Sequence, residues 1–276
     1  MRIGILMRRP EPGGHSITLD MVGLLREWGN DVDTIDLDTA TDLAAVRPDH
    51  DLYVLRSVTE GTLSHAGILD ALGATIVNSY PVTRACCDKV LVTRLLQLAG
   101  VPVPETFVAQ RPGQLEPLLD HGPIVVKPQG GSQGRGVKVV WDADELLDLA
   151  APEGPVLAQR YHERQGRDRK LYCIGGQLFG VKRVWPARTY AEKLGEPFTV
   201  SAELRDIADR TAAAIGTDLF GLDVVISDDR PYVVDVNPFP GFKGVPDAAL
   251  RLADYIHATA RATPAPADTG LKEVVS

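Results

Sequence analysis

Asp223, Asp235 and Asn237 are the residues of this 276-residue chain best placed to do chemistry. They stand in the run FGLDVVISDDRPYVVDVNPFPGFKG, residues 220–244, where two apolar stretches flank the turn signal Asp228-Asp229-Arg230. Pairing the stretches as a hairpin about that turn puts Asp223 opposite Asp235. Asn237, two residues on, shares their face because strand side chains alternate with period two. Val224, Ile226, Val234 and Val236 then take the other face and supply a core. Two carboxylates directly opposite one another repel. Three oxygen ligands on one face of an apolar hairpin therefore call for a hard divalent cation such as Mg2+, which takes few protein ligands and adds phosphate oxygens.

A second constellation is IVVKPQGGSQGRG, residues 124–136. A strand delivers Lys127, and the loop after it offers glycine N–H groups that can approach a phosphate closely. No Gly-Lys-Ser/Thr follows and no helix opens there, so this is not a Walker loop. Lys89, beside Asp88, lies early on a helix; alone it reads as a solvated residue. The stretch VLAQRYHE, residues 156–163, is a strand with a polar end. Arg8, Arg9, Arg56, Lys170, Arg183, Arg188 and Lys243 fall at strand ends or in loops. Arg56 follows a strand at the carboxyl edge where α/β sheets place ligands, and Arg183 ends the strand FGVKRV. Their common placement suits a pocket for a small anion.

The elements that must position these residues follow from periodicity. Strands over 2–7, 31–37, 51–55 and 74–77 alternate with helices over 16–28 and 62–72, which predicts a small parallel α/β domain. A long helix over 82–99 follows, stopped by Gly100, Pro102 and Pro104. Strands over 106–108, 123–127 and 137–141, with helices over 114–119 and 142–149, form a second unit of antiparallel character. Strands over 156–161, 169–174 and 178–184, a helix over 202–215, the carboxylate hairpin and a closing helix over 246–262 form a third. The fold class is α/β (α+β), with domains at 1–82, 83–158 and 159–262 and a Pro/Ala-rich tail, 263–276, expected to be disordered.

Composition narrows the function. Lys and Arg number 29 against 37 Asp and Glu, a net charge of −8, which argues against a nucleic-acid binder, since that affinity comes from cations on phosphates. It leaves room for a local basic pocket. Three cysteines are too few for a disulfide framework or a zinc site. No apolar run approaches the roughly 18 residues of a membrane span and no signal segment opens the chain, so the expected location is cytoplasmic.

Assembled in this order, the residues give the chain a resemblance to the ATP-grasp superfamily over about residues 1–260. The resemblance implies an N-terminal parallel α/β domain and two α+β subdomains clamping ATP. It implies that Lys89 and Lys127 contact the α- and β-phosphates, with Gly131, Ser132, Gln133 and Gly134 in a mobile loop over them. Gln159, Arg160 and Tyr161 would form the adenine hinge, the backbone of the last two reading the base edge, and Glu163 would reach the ribose. Asp223, Asp235 and Asn237 match the magnesium positions, for two Mg2+ ions with Mn2+ as a substitute. The N-terminal part, with ILMRRP, Asn78, Asp88-Lys89, AGVPVPET and GGSQGRG, is similar to the ribosomal-protein glutamate ligases, which form an acyl phosphate that an amine attacks. The C-terminal part resembles the inositol trisphosphate 5/6-kinases: Asp235 stands where the ligases usually carry Glu, and Phe-Pro-Gly follows Asn237. Lys170 stands where the glutamate ligases usually carry Arg. The reading that follows is an ATP-dependent carboxylate–amine ligase for a small anionic, amino-acid-like substrate. Arg183 and Lys170 are its catalytic cations, and Arg8, Arg9, Arg56, Arg188, Gly241 and Lys243 lie on the substrate side. The alternatives are phosphoryl transfer to a hydroxyl of a phosphorylated polyol and a non-catalytic ATP-binding module. A homo-oligomer is compatible with the sequence.

Overall fold

The computed structural model describes residues 1–8, 16–36, 42–128, 136–149, 154–184 and 187–263. Arg9, the loop residues Gly131, Ser132, Gln133 and Gly134, and the tail beyond residue 263 lie outside the described residues. In chain order the first elements are β1 (Arg2–Leu6), α1 (Ile17–Glu27), β2 (Asp31–Ile35), β3 (Leu52–Leu55), α2 (Glu60–Ala71), β4 (Ile76–Val77), α3 (Tyr80–Cys87) and α4 (Lys89–Leu98). Next come β5 (Thr106–Ala109), a 3-10 segment (Pro112–His121), β6 (Ile124–Pro128), β7 (Lys138–Val140), α5 (Ala143–Leu147) and β8 (Val156–Arg160). The rest are β9 (Asp168–Ile174), β10 (Gln177–Arg183), α6 (Tyr190–Leu194), β11 (Glu196–Phe198), α7 (Ala202–Ile215), β12 (Leu219–Ser227), β13 (Arg230–Asn237) and α8 (Ala248–Ala262). Among the described residues no helix is long and apolar enough to cross a membrane.

The chain divides into two compact units, Met1–Arg84 with the segment from Pro246 onward, and Ala85–Val245. The first is built on a parallel sheet of order β2-β1-β3-β4. Its central strand β3 is buried at every position, as a strand covered on both faces must be. Helix α8, expected to close the third unit, instead packs on α1 in this first unit. Its apolar stripe Leu252, Ala253, Ile256 and Ala260 is fully covered, and Asn30 Nδ2 lies 3.2 Å from His257 Nδ1. Periodicity fixes which face of a helix is buried, and here the partner is distant in sequence.

The second unit holds two antiparallel sheets, β5-β8-β6-β7 and β11-β10-β9-β12-β13. In the smaller sheet one face packs Ile124, Val126, Val140, Val156 and Ala158 against Leu115 of the 3-10 segment and Leu146 of α5. The alternate residues Thr106, Leu157, Gln159, Val125, Lys127 and Val139 are brought side by side by the register on the other face.

The helix expected over 82–99 is two helices, α3 and α4, broken at Asp88. The Asp88 carboxylate accepts from the N–H groups of Val90 and Leu91, both at 3.0 Å, and so starts a new helix at Lys89. The stretch near 114–119 is 3-10 rather than α-helical, with Pro117 inside it. The carboxylate hairpin keeps its expected register for Asp223 with Asp235 and Gly221 with Asn237. Beyond Asp223 a bulge shifts the pairing by one residue, so Val233, not Val234, faces Val224. The connection is then two residues, Asp228 and Asp229, both at positive φ (47° and 57°), as a right-twisted two-residue hairpin loop requires.

Candidate active site

One face of the larger sheet carries the charged groups in rows. Lys170, Asp223 and Asp235 lie in register across β9, β12 and β13, and Tyr172, Gly221 and Asn237 form the next row. Arg183 pairs across from Asp168 at the near end of β10. The ammonium of Lys170 is ion-paired with Asp223 Oδ1. Asp235 lines a recess with Lys89, Lys127 and Gln159. Desolvation by its surroundings first, and the Asp223 charge second, push its carboxyl up to about 6, against the pull of Lys127, Lys89 and Lys170, while the residue itself stays exposed on its strand. Asn237 Oδ1 accepts from the Phe239 N–H at 3.0 Å, which fixes the amide and leaves its second lone pair.

These residues fit a divalent cation. Two carboxylates face each other, Lys170 is paired to one of them, and an amide oxygen sits beside them. Among the described residues no group of three or more His, Cys, Asp or Glu side chains is arranged to hold a metal ion. Two carboxylates with one amide are the sparse oxygen set that Mg2+ takes, and Zn2+ prefers nitrogen and sulfur.

Lys127 is 8% exposed. Its ammonium donates to Gln159 Oε1 at 2.6 Å and to the Val234 carbonyl at 2.8 Å. Val234 is the residue that the bulge skips, so its carbonyl is turned to a lysine of the smaller sheet. Burial is the first cause that lowers the Lys127 ammonium to about 8, and Lys89 adds to it, while Asp235 and Asp223 oppose both. A cation this dehydrated gains most from a multiply charged anion. Lys89, the first residue of α4, lines the same recess.

At the expected hinge, the Arg160 N–H donates to Glu105 O at 2.9 Å and the Tyr161 N–H to Pro123 O at 3.0 Å, so a base edge would be read by backbone groups other than these two N–H groups. The Arg160 guanidinium donates to the carbonyls of Leu118 and Gly122 and is structural. Gln159 is 3% exposed and turns its amide to Lys127 rather than outward. Sequence reading missed an apolar platform on the same sheet face. Val139 is 38% exposed beside its cross-strand partner Val125. Nearby, the rings of Trp141 and Tyr161 meet with centroids 5.6 Å apart. Exposed valine on a strand whose other face is core was the available signal. Glu163 is exposed.

On the substrate side, Arg183 Nε is buried without a hydrogen-bond partner among the described residues. Lys243 lies 5.8 Å from the Tyr190 ring centroid, and burial, then Lys193 and Arg183, lower its ammonium. Arg188 precedes Thr189, the cap of α6, and is exposed, while Gly241 is half-buried with the Lys243 side chain at contact distance from where a Cβ would lie. The loop is locked by Gly244, at φ 84°, where a Cβ would lie 2.1 Å from the Leu194 carbonyl oxygen. Gly244→Ala is therefore expected to cost about 3 kcal/mol or more, from backbone clash and positive φ together. Chemical denaturation checks this, and an unchanged midpoint would refute the packing. Arg8 and Arg56 belong to the first unit, where Arg56 Nε donates to Thr18 Oγ1 at 3.0 Å and Arg8 is exposed.

The RimK-like ATP-grasp domain family matches residues 86–256, well over half of the chain. The α-aminoadipate–LysW ligase LysX of Saccharolobus solfataricus is 28% identical over 213 residues, covering 71% of this chain and 77% of that protein. A probable α-L-glutamate ligase of Saccharophagus degradans is 28% identical over 295 residues, covering 95% of this chain and 97% of that protein. The crystal structure of a RimK domain ATP-grasp protein from Sphaerobacter thermophilus superposes with a TM-score of 0.74 at 24% identity, covering 93% of this chain and 100% of that one. The fold class expected from the sequence is thus shown, and the kinase resemblance of the C-terminal part is not shown by these comparisons. The chain belongs to the RimK-like ATP-grasp family and is an ATP-grasp ligase.

Proposed function

We propose that this protein uses Mg-ATP to activate the carboxylate of a small amino-acid-like substrate and passes the acyl group to an amine. The observation that carries the reading is the dehydrated Lys127 ammonium in one recess with Asp235, the cross-strand partner of Asp223. In this reading Lys89 and Lys127 bind the α- and β-phosphates. The face with Val125, Val139 and the Trp141–Tyr161 pair takes the base. Asp223, Asp235 and Asn237 hold one or two Mg2+ ions, or Mn2+ in their place. The bound cation neutralises charge on the phosphates and orients the group transferred. A substrate carboxylate oxygen takes the γ-phosphoryl group and ADP leaves. The amine then attacks the acyl carbon, phosphate departs, and the amine gives up a proton. Arg183, with its unpaired buried Nε, stabilises negative charge on the transferring group, and Lys170 holds Asp223 in register. Lys243, Gly241 and Arg188 are assigned to the substrate, and Arg8, Arg9 and Arg56, which belong to the first unit, stay substrate candidates from their place in the sequence. The names of the relatives, an α-aminoadipate–LysW ligase and a probable α-L-glutamate ligase, support an amino-acid carboxylate.

The test is trapping. With Mg-ATP, single amino acids and hydroxylamine, one amino acid is expected to give a hydroxamate together with equal ADP and phosphate. ADP release with a phosphorylated polyol and no hydroxamate would overturn the proposal in favour of direct phosphoryl transfer.

A further inference from the structure

The Lys127 ammonium has three N–H bonds, and two of them are spent on fixed acceptors, Gln159 Oε1 and the Val234 carbonyl. The third is thereby aimed by tetrahedral geometry. What fixes Gln159 is a short relay inside the smaller sheet. The Thr106 hydroxyl donates to the Pro104 carbonyl at 2.7 Å, so its oxygen is left as an acceptor. Gln159 Nε2 donates to that oxygen at 3.3 Å. The amide can then turn only one way, nitrogen to Thr106 and oxygen to Lys127. Thr106 and Gln159 are cross-strand partners on β5 and β8, and Val125 on β6 is in register with Gln159. From there Gln159 reaches the lysine that follows two residues after Val125.

The geometry points to Thr106 and Gln159 as positioning residues for Lys127, setting the direction in which its free N–H meets the polyphosphate. Gln159 lines the recess beside Lys127, and Thr106 stands behind it, outside that lining. Thr106 in particular acts at two removes, through Gln159 and then Lys127. The flipped amide would set an N–H donor against the Lys127 N–H donors, so the lysine already disfavours it. The Thr106 oxygen anchors the nitrogen end of the same orientation and holds the amide in place. This inference rests on the proposed contact of Lys127 with phosphate.

Thr106→Val keeps the volume and removes the hydroxyl. Binding is read by titration of the full-length protein with Mg-ATP and, separately, with adenosine, which has no phosphate. Thr106→Val is expected to weaken Mg-ATP binding about fivefold, the worth of one orienting hydrogen bond, and leave adenosine binding unchanged. Thr106→Ser, which keeps the hydroxyl, is expected to restore Mg-ATP binding. Equal weakening of both ligands would mark a merely structural role and overturn the inference, as would unchanged Mg-ATP binding. If Thr106→Val does not fold, Gln159→Met carries the same comparison of the two ligands. Lys127→Ala separates the two layers. Unchanged Mg-ATP binding in that variant would overturn the phosphate contact and the positioning role with it. Lost Mg-ATP binding in Lys127→Ala with no effect in Thr106→Val would overturn the positioning role alone.

Discussion

Asp235→Asn is expected to lower Mg2+-dependent hydroxamate formation by about 10²–10³-fold, the range seen when one preorganised charged or polar group is removed from a reacting centre. The substitution is nearly isosteric and removes one charge from a pair whose Cα atoms are cross-strand partners. Its effect on the fold runs the other way. Asp235 is held at about 6, above its ordinary value of 3.8, so in the metal-free protein the ionised form is disfavoured. Between those values the folded state binds more protons than the unfolded one, and stability falls as pH rises. The penalty is fully present above about 6 and absent below 3.8. Metal-free Asp235→Asn should therefore unfold no earlier than the parent at pH 7, with its advantage shrinking as the pH is brought towards 4. A stabilising response to Mg-ATP should be lost in parallel. Thermal unfolding with and without Mg-ATP, alongside hydroxamate assays, measures all three. Unchanged turnover would refute the metal assignment, and loss of turnover with a collapsed metal-free transition would show a folding defect instead.

The carboxylate face was legible because strand alternation is a strict period. Once Asp223 and Asp235 pair, Asn237 must share their side, and it does. The bulge at Val234 was not legible, since nothing in Val-Val-Asp differs from an unbroken strand. Yet that bulge releases the carbonyl that Lys127 uses. Gln159 shows the same limit. Its stretch reads as a strand with a polar end, but β8 is paired on both sides, by β5 and β6, and the face Gln159 takes is set by sheet register. The break at Asp88 carried a local signal, an Asp before an apolar run, and lost to helical periodicity on either side. Helix α8 was legible as an amphipathic element, and its address was not, because burying a stripe on α1 or on a later element satisfies the same pattern. The general lesson is physical. Periods reveal faces, caps reveal ends, and long-range partners are chosen by packing that no local window contains.

Lys127→Met is expected to weaken Mg-ATP binding by about 10²-fold, as removal of a charge-assisted contact to phosphate does. The pH dependence is the sharper prediction. Burial lowers the Lys127 ammonium from 10.5 to about 8, so the charged form is disfavoured in the free protein. The free folded state carries that cost in full below about 8 and sheds it as the lysine deprotonates, until above 10.5 both states are neutral. Phosphate requires the ammonium, so binding above about 8 must take up a proton. In the parent, Mg-ATP affinity should hold steady below that value and fall by close to tenfold for each further pH unit. In Lys127→Met no such fall is expected, because methionine has no proton to recover. The metal-free variant should differ little in stability. It sheds a desolvated charge but leaves Gln159 Oε1 and the Val234 carbonyl without their donor, and these effects have opposite signs. Calorimetric titration at pH 7 and pH 9.5, in two buffers of different ionisation enthalpy, reads both affinity and proton uptake. An affinity that falls equally with pH in parent and variant would show that another group controls the alkaline limb. Proton uptake in the parent that disappears in Lys127→Met would tie it to this side chain.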